Sequence, residues 1–190
     1  KIAMAISIDA YGDGIKRGAG RFDLTGAEMD WREIGWNKPA AVPAEMTLNF
    51  QEGRSGIFTL EQWAFVGGGL SANGTAKFDG AANLMSLTAK RFTLGATQVA
   101  IQMTARPGSG YQLDVAGPGL DLRFFTARGL DFDRDVDEPP LDLNLALDQV
   151  YLTDDVVLTG LTGSGQRRNG EWFSAHTRGN MTGGKNVGFT

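Results

Sequence analysis

The sequence predicts an all-β chain: an elongated, strongly curved antiparallel sheet (a β-groove) with little helix. Three observations carry this. Leu141-Asp-Leu143-Asn-Leu145-Ala-Leu147-Asp148 puts leucine at every odd position and a polar or small residue at every even one. The same period recurs at Ile2/Met4/Ile6/Ile8, Met46/Leu48/Phe50, Val99/Ile101/Met103 and Tyr111/Leu113/Val115. Successive strand side chains point to opposite faces, so each segment has one apolar and one polar face. Finally, 27 glycines against 6 prolines supply many tight turns between short strands.

Taken in order, the expected strands are 1–9, 19–31, 44–52, 56–66, 69–79, 84–94, 97–106, 110–117, 141–152, 156–167 and 170–182. The breaks carry turn chemistry: Tyr-Gly-Asp-Gly14, Glu-Gly-Arg-Ser-Gly56, Phe-Asp-Gly80, Arg-Pro-Gly-Ser-Gly110 and Arg-Asn-Gly170. Such short connections favour sequential antiparallel hairpins over βαβ units. One short helix is expected within Gly119–Gly129, where Leu120, Phe124 and Phe125 can share a face. Asp131-Phe-Asp-Arg-Asp-Val-Asp-Glu-Pro-Pro140 holds two prolines among five carboxylates and cannot be a central strand. The expected organisation is a β-groove segment over 1–130, an acidic linker over 131–140, and the start of a further segment over 141–190.

Composition narrows the function. Apolar content of 42% supports a core, and 21% charge is too little for a disordered chain. Net charge is −4 with Lys and Arg scattered among acids, so no nucleic-acid partner is expected. Cysteine is absent, which removes disulfides, thiolate metal sites and a cysteine nucleophile. No apolar run approaches the roughly 20 residues of a spanning helix. The start at Lys1 and the end at Thr190 read as cuts through strands, as in a piece of a larger protein.

Catalytic chemistry is sparse. His176 is the only histidine and reads as a surface residue; Ser174 shares its strand face, but no Gly-x-Ser-x-Gly elbow accompanies them. Gly12-Asp-Gly14-Ile-Lys-Arg-Gly18 returns to strand pattern rather than opening a helix, so it reads as a hairpin turn and not a phosphate loop. Asp131, Asp133, Asp135 and Asp137 have the alternate spacing of calcium loops, yet position six is Val136 and position twelve is Asp142. The expectation is a non-enzyme with no cofactor and no metal.

What remains is the apolar face. Large apolar residues keep one parity over most of the chain, while Trp31, Trp36, Trp63 and Trp172 are spread out rather than pooled. A sheet that curls without closing leaves an apolar trough, which acyl chains would fill at roughly 0.8 kcal/mol per buried methylene. The expected lining is Leu143, Leu145, Leu147, Val99, Ile101, Met103, Met46, Leu48 and Phe50, with Asn144, Asp148, Gln98, Gln102, Thr47 and Asn49 facing water. The rival reading is a closed β-sandwich serving as a structural or partner-binding envelope module.

Phe22-Asp-Leu-Thr-Gly-Ala27, Glu33-Ile-Gly-Trp-Asn-Lys-Pro39 and Val42-Pro-Ala44 resemble AsmA-like proteins of the YhdP type. So do Gly67-Gly-Gly-Leu-Ser-Ala-Asn-Gly-Thr-Ala-Lys-Phe-Asp79, Gly110 through Leu122, and Pro140 through Trp172. The resemblance covers about residues 20–182, and its phrases are turns and strands. It implies a bridge-like lipid-transfer protein of Gram-negative bacteria, held in the inner membrane by an N-terminal helix and extending through the periplasm. Repeated β units would form a groove moving phospholipid to the outer membrane. It also implies no catalytic residues.

Overall fold

The computed structural model describes residues 3–11, 14–106, 110–127 and 139–182, and the backbone of 185–189. The chain divides into two compact units, Lys1–Leu94 and Gly95–Thr190. Each is all-β, mostly antiparallel, with little helix.

The first unit contains β1 (Ala3–Ala10), β2 (Lys16–Asp23), β3 (Met29–Trp31), β4 (Trp36–Lys38), β5 (Ala44–Glu52), β6 (Phe58–Gly67), β7 (Leu70–Phe78) and β8 (Leu84–Leu94). Six of these form an antiparallel sheet in the order β1-β2-β5-β6-β7-β8, while β3 and β4 pair as a separate hairpin inserted after β2. The expected strand over 19–31 is therefore corrected: β2 starts at Lys16 and stops at Asp23, whose carboxylate accepts from the Thr25 N–H and turns the chain into the insert. Neighbouring strands join by short turns. Gly68 and Gly69 have φ of 57° and 80°, the left-handed pair that a two-residue hairpin needs.

The second unit contains β9 (Thr97–Ala105), β10 (Tyr111–Asp121), α1 (Arg123–Ala127), β11 (Leu141–Tyr151), β12 (Val157–Arg168), β13 (Glu171–Met181) and β14 (Lys185–Phe189). The expected short helix is α1. It sits in the connection between β10 and β11, which pair in parallel, unlike all other pairs in the unit. Sequential antiparallel hairpins thus give way here to one βαβ crossover, as parallel strands require. The expected linker 131–140 lies, over 131–138, outside the described residues, and the strands flanking it belong to one sheet within one unit. The four-aspartate stretch is likewise outside them. Asn169 and Gly170 have φ of 53° and 74°, closing the β12–β13 hairpin at the expected Arg-Asn-Gly turn.

Within each unit the main-sheet strands form an open layer in which each strand packs chiefly on its sheet neighbours. The expected strong curvature is corrected: within each unit the sheet is not strongly curled.

Candidate functional site: the apolar sheet faces

In-register partners on adjacent strands share a face. In the first unit, one such row reads Met4–Phe22–Met46–Phe65–Ala72–Phe92. The next reads Ile6–Gly20–Leu48–Trp63–Gly74–Ala89, and the third Ile8–Gly18–Phe50–Leu60–Ala76–Leu87. No polar side chain interrupts these three rows. The opposite face carries Ser7, Arg17, Arg21, Thr47, Asn49, Gln51, Asn73, Thr75 and Lys77. Here Arg17 Nε donates to Gln51 at 3.0 Å, Arg21 Nε to Glu45 at 2.8 Å, and Asn49 to Gln62 at 3.2 Å.

Bulges keep the face continuous. In β6 the apolar alternation changes phase between Leu60 and Trp63, and the β6–β7 register shifts at that point. In β8 the phase changes between Leu84 and Leu87 and again between Ala89 and Phe92, and the β7–β8 register shifts at both places. An extra residue in one strand flips the parity of everything after it, so each slip returns the apolar residues to the same side.

Large side chains lie over small ones along the rows. A Cβ on Gly18 would stand 2.4 Å from Phe50 Cζ, and one on Gly20 would stand 3.0 Å from Phe22. Phe50 stacks on Phe58 with centroids 5.3 Å apart. Cover thins toward the sheet's first strand, where Met4, Ile6 and Ile8 are 64%, 50% and 60% exposed. The indole N–H of Trp63 is buried and has no acceptor.

The insert borders one end of this face. Trp36, 5% exposed, stands edge-on to Phe65 at 5.6 Å and donates its indole N–H to the Gly68 carbonyl at 2.9 Å. Lys38 is fully buried, and its ammonium donates to the carbonyls of Ala27 at 2.6 Å and of Pro39 and Val42 at 3.0 Å. A buried cation whose hydrogen-bond acceptors are backbone oxygens ties a loop that has little regular structure of its own. Gly68 leaves room for it: a Cβ there would meet Lys38 Cγ at 3.0 Å.

In the second unit, Met103–Leu113–Leu143 and Ile101–Val115–Leu145 form the corresponding rows. Beyond β11 they meet Gly165 and Gly163, then Ala175 and Thr177, so the apolar surface becomes sparse. Trp172 leans over Gly165, whose Cβ would lie 2.7 Å from the indole. On the polar face, Asn144 donates to Asp114 at 2.7 Å. Asp142, 7% exposed, accepts from Arg168 at 2.6 Å and pairs with Arg106, which also reaches Gln112. The Arg168 hydrogen bond, with the charge of Arg106 beside it, holds the Asp142 carboxyl below the ordinary aspartate range.

Of the sequence-predicted lining, the structure brings Met46, Leu48 and Phe50 together on the first face. It brings Ile101, Met103, Leu143 and Leu145 together on the second. Leu147 and Val99 have the same parity but are 2% and 5% exposed, so they serve as packing rather than open surface. The polar counterparts Thr47 and Asn49 lie on the hydrophilic side of the first unit, and Gln102 and Asn144 on that of the second. Sequence reasoning missed Phe58, Leu60, Trp63, Phe65, Leu87 and Phe92, whose signal was the phase slip that marks a bulge. His176 is exposed on the hydrophilic side opposite Ser164.

A depression of about 440 Å³ lies on the hydrophilic side of the first unit, bordered by Ser7, Ala19, Arg21, Thr47, Asn49 and Gln62. It is open and holds no cluster of acids. Among the described residues no three His, Cys, Asp or Glu side chains converge as metal ligands, and no helix is long and apolar enough to cross a membrane. No family model, curated protein or solved structure matches this chain.

Proposed function

We propose that this chain is a segment of a periplasmic lipid conduit, in which phospholipid acyl chains lie on the apolar sheet faces and headgroups stay in water. In this reading the parent protein is anchored in the inner membrane and passes lipid toward the outer one, as the AsmA-like phrases imply. One observation carries it: three in-register rows of apolar side chains run across all six strands of the first unit's main sheet, with a mostly polar reverse side. Five inter-strand steps make a path of about 24 Å, the scale of an acyl chain rather than of a small polar ligand. An aliphatic tail needs no polar partner along that path, and none is offered. Each methylene transferred from water contributes roughly 0.8 kcal/mol, so one chain offsets the exposed area that a bare face costs. The sheet is open, so lipid rests on a face instead of entering an enclosed tunnel, and movement along it is passive.

The test is phospholipid retained by the purified chain, counted by native mass spectrometry after exposure to phosphatidylethanolamine vesicles. Leu48→Asn should lower occupancy severalfold, and Asn49→Leu, on the reverse side, should not. A folded chain that retains no phospholipid overturns the reading.

A further inference from the structure

On the apolar side of the first unit's main sheet, the rows end against a pair of charges. β2 and β5 keep one unbroken register from Lys16–Glu52 to Asp23–Glu45. With a period of two, Lys16 shares its side with Gly18, Gly20 and Phe22, and Glu52 with Met46, Leu48 and Phe50. The Lys16 ammonium donates to the Glu52 carboxylate at 3.1 Å, and the two side chains are 54% and 42% exposed. An ammonium has three donors and a carboxylate about four acceptor sites, so one bond between them leaves further positions on each.

The register carries this pair into an apolar row. Glu52 stands opposite Phe58, Phe58 opposite Phe78, and Phe78 opposite Leu84. From β2 to β8 the row reads Lys16–Glu52–Phe58–Phe78–Leu84. The Phe58 ring centroid lies 5.3 Å from that of Phe50 in the neighbouring row and 6.3 Å from that of Phe78. Two opposite charges thus lead into a track of aromatic and aliphatic side chains.

A zwitterionic phospholipid has the same order of groups, with phosphate and ammonium first and acyl chain after. Phosphoethanolamine joins its two charges by a two-carbon link. Laid antiparallel across the ion pair, it sets phosphate on Lys16 and ammonium on Glu52. Arg54, whose Cγ a Cβ on Gly14 would meet at 3.4 Å, adds positive charge at this end of the sheet. Cations alone would serve any phospholipid, because each has a phosphate. Glu52 separates the headgroups: it accepts from a primary ammonium and repels a headgroup whose only charge is negative.

The same two strands carry a second ion pair for comparison. Arg21 donates to Glu45 at 2.8 Å, but both residues lie on the hydrophilic side. The row from Glu45 continues through Val66, Ser71 and Thr93, which offers no apolar track.

We propose that the Lys16–Glu52 pair is a headgroup seat, selecting phospholipids that carry a primary ammonium beside the phosphate. Their acyl chains lie on Phe58, Phe78 and the rows beside them. The seat rests on the conduit reading above, since a headgroup reaches it only with lipid on the face.

The test exposes the purified chain to vesicles of equal parts phosphatidylethanolamine and phosphatidylglycerol and counts retained lipid by native mass spectrometry. Phosphatidylethanolamine should exceed phosphatidylglycerol about two- to fivefold, the scale of one exposed charge contact. Glu52→Gln should bring the two to parity, and Lys16→Gln should lower both. An exposed ion pair adds little to folding, so both variants should keep the far-ultraviolet spectrum. Glu45→Gln, on the reverse side, should leave the ratio unchanged. Equal retention by the unmodified chain, an excess of phosphatidylglycerol, or a phosphatidylethanolamine excess that survives Glu52→Gln overturns the seat and leaves the conduit standing. A folded chain that retains neither lipid overturns both.

Discussion

The two units build an apolar face from different side chains and carry it over different distances. The first uses aromatics laid over glycines and alanines, and keeps its face across six strands through bulges in β6 and β8. The second uses a cleaner aliphatic ladder on β9, β10 and β11, then loses it to Gly163, Gly165, Ala175 and Thr177. The strand with the purest alternation, β11, therefore belongs to the shorter face. A face is a property of register between strands, and alternation within one strand does not secure it.

The largest contrast between the units is expected at their glycines. A Cβ on Gly74 would stand 1.7 Å from the Thr88 carbonyl oxygen, a backbone atom that cannot swing away. Gly74→Ala should cost about 4 kcal/mol or prevent folding, read from denaturant midpoints. A Cβ on Gly165 would press on Trp172, a side chain that is 48% exposed, and would stand 3.4 Å from the Ser174 carbonyl oxygen, an ordinary contact. Gly165→Ala should cost about 1 kcal/mol or less. Equal losses would mean that the rows are not packed as described.

Next comes the insert, which has no counterpart among the described residues of the second unit. Lys38→Met leaves three close carbonyls without their donor and should cost about 3 kcal/mol. Hydrogen exchange should quicken across residues 24–43 while β6 and β7 stay protected. Uniform loosening of the whole unit would contradict a local tie.

Acid should weaken the second unit through two carboxylates held by arginines, Asp142 and Asp121. Asp142 has a depressed folded pKa, because Arg168 hydrogen-bonds its ionised form and the charge of Arg106 adds to it. Its stabilisation is complete above the unfolded value of about 3.9 and is lost as pH falls from there through the folded value. Asp142→Asn should therefore flatten the acid limb of the thermal-midpoint profile. Asp79 in the first unit is depressed by hydrogen bonds from Asn83 within its own turn, so Asp79→Asn should disturb that turn alone.

The smallest effect separates two tryptophans of the first unit. Trp36 donates to the Gly68 carbonyl, so Trp36→Phe should cost about 1–2 kcal/mol. Trp63 has a buried N–H without an acceptor, and Trp63→Phe should cost less than about 1 kcal/mol. The reverse order in melting temperatures would assign the hydrogen bond to the wrong indole.

Much of this was legible in the sequence. Period-two alternation at Met46/Leu48/Phe50 and Leu143/Leu145 located strands and their faces, and Arg-Asn-Gly170 located a hairpin. The insert was not legible, because Asp23 ends β2 by a local side-chain turn while Met29-Asp-Trp31 still reads as strand. The parallel β10–β11 pair was hidden because Leu113 and Leu143 alternate identically whichever way the strands run. The rest of the apolar face was hidden by bulges, since Trp63 and Phe65 have the opposite parity to Phe58 and Leu60. Curvature depends on the sum of twists and bulges, which no single strand encodes.

The most direct test of the central claim is a photo-crosslinking residue placed at Leu48 or Leu145, with Asn49 and Asn144 as reverse-side controls, in the parent protein in living cells. The account predicts phospholipid adducts at 48 and 145 and none at 49 and 144. Adducts on both sides, or on neither in a folded protein, would contradict it.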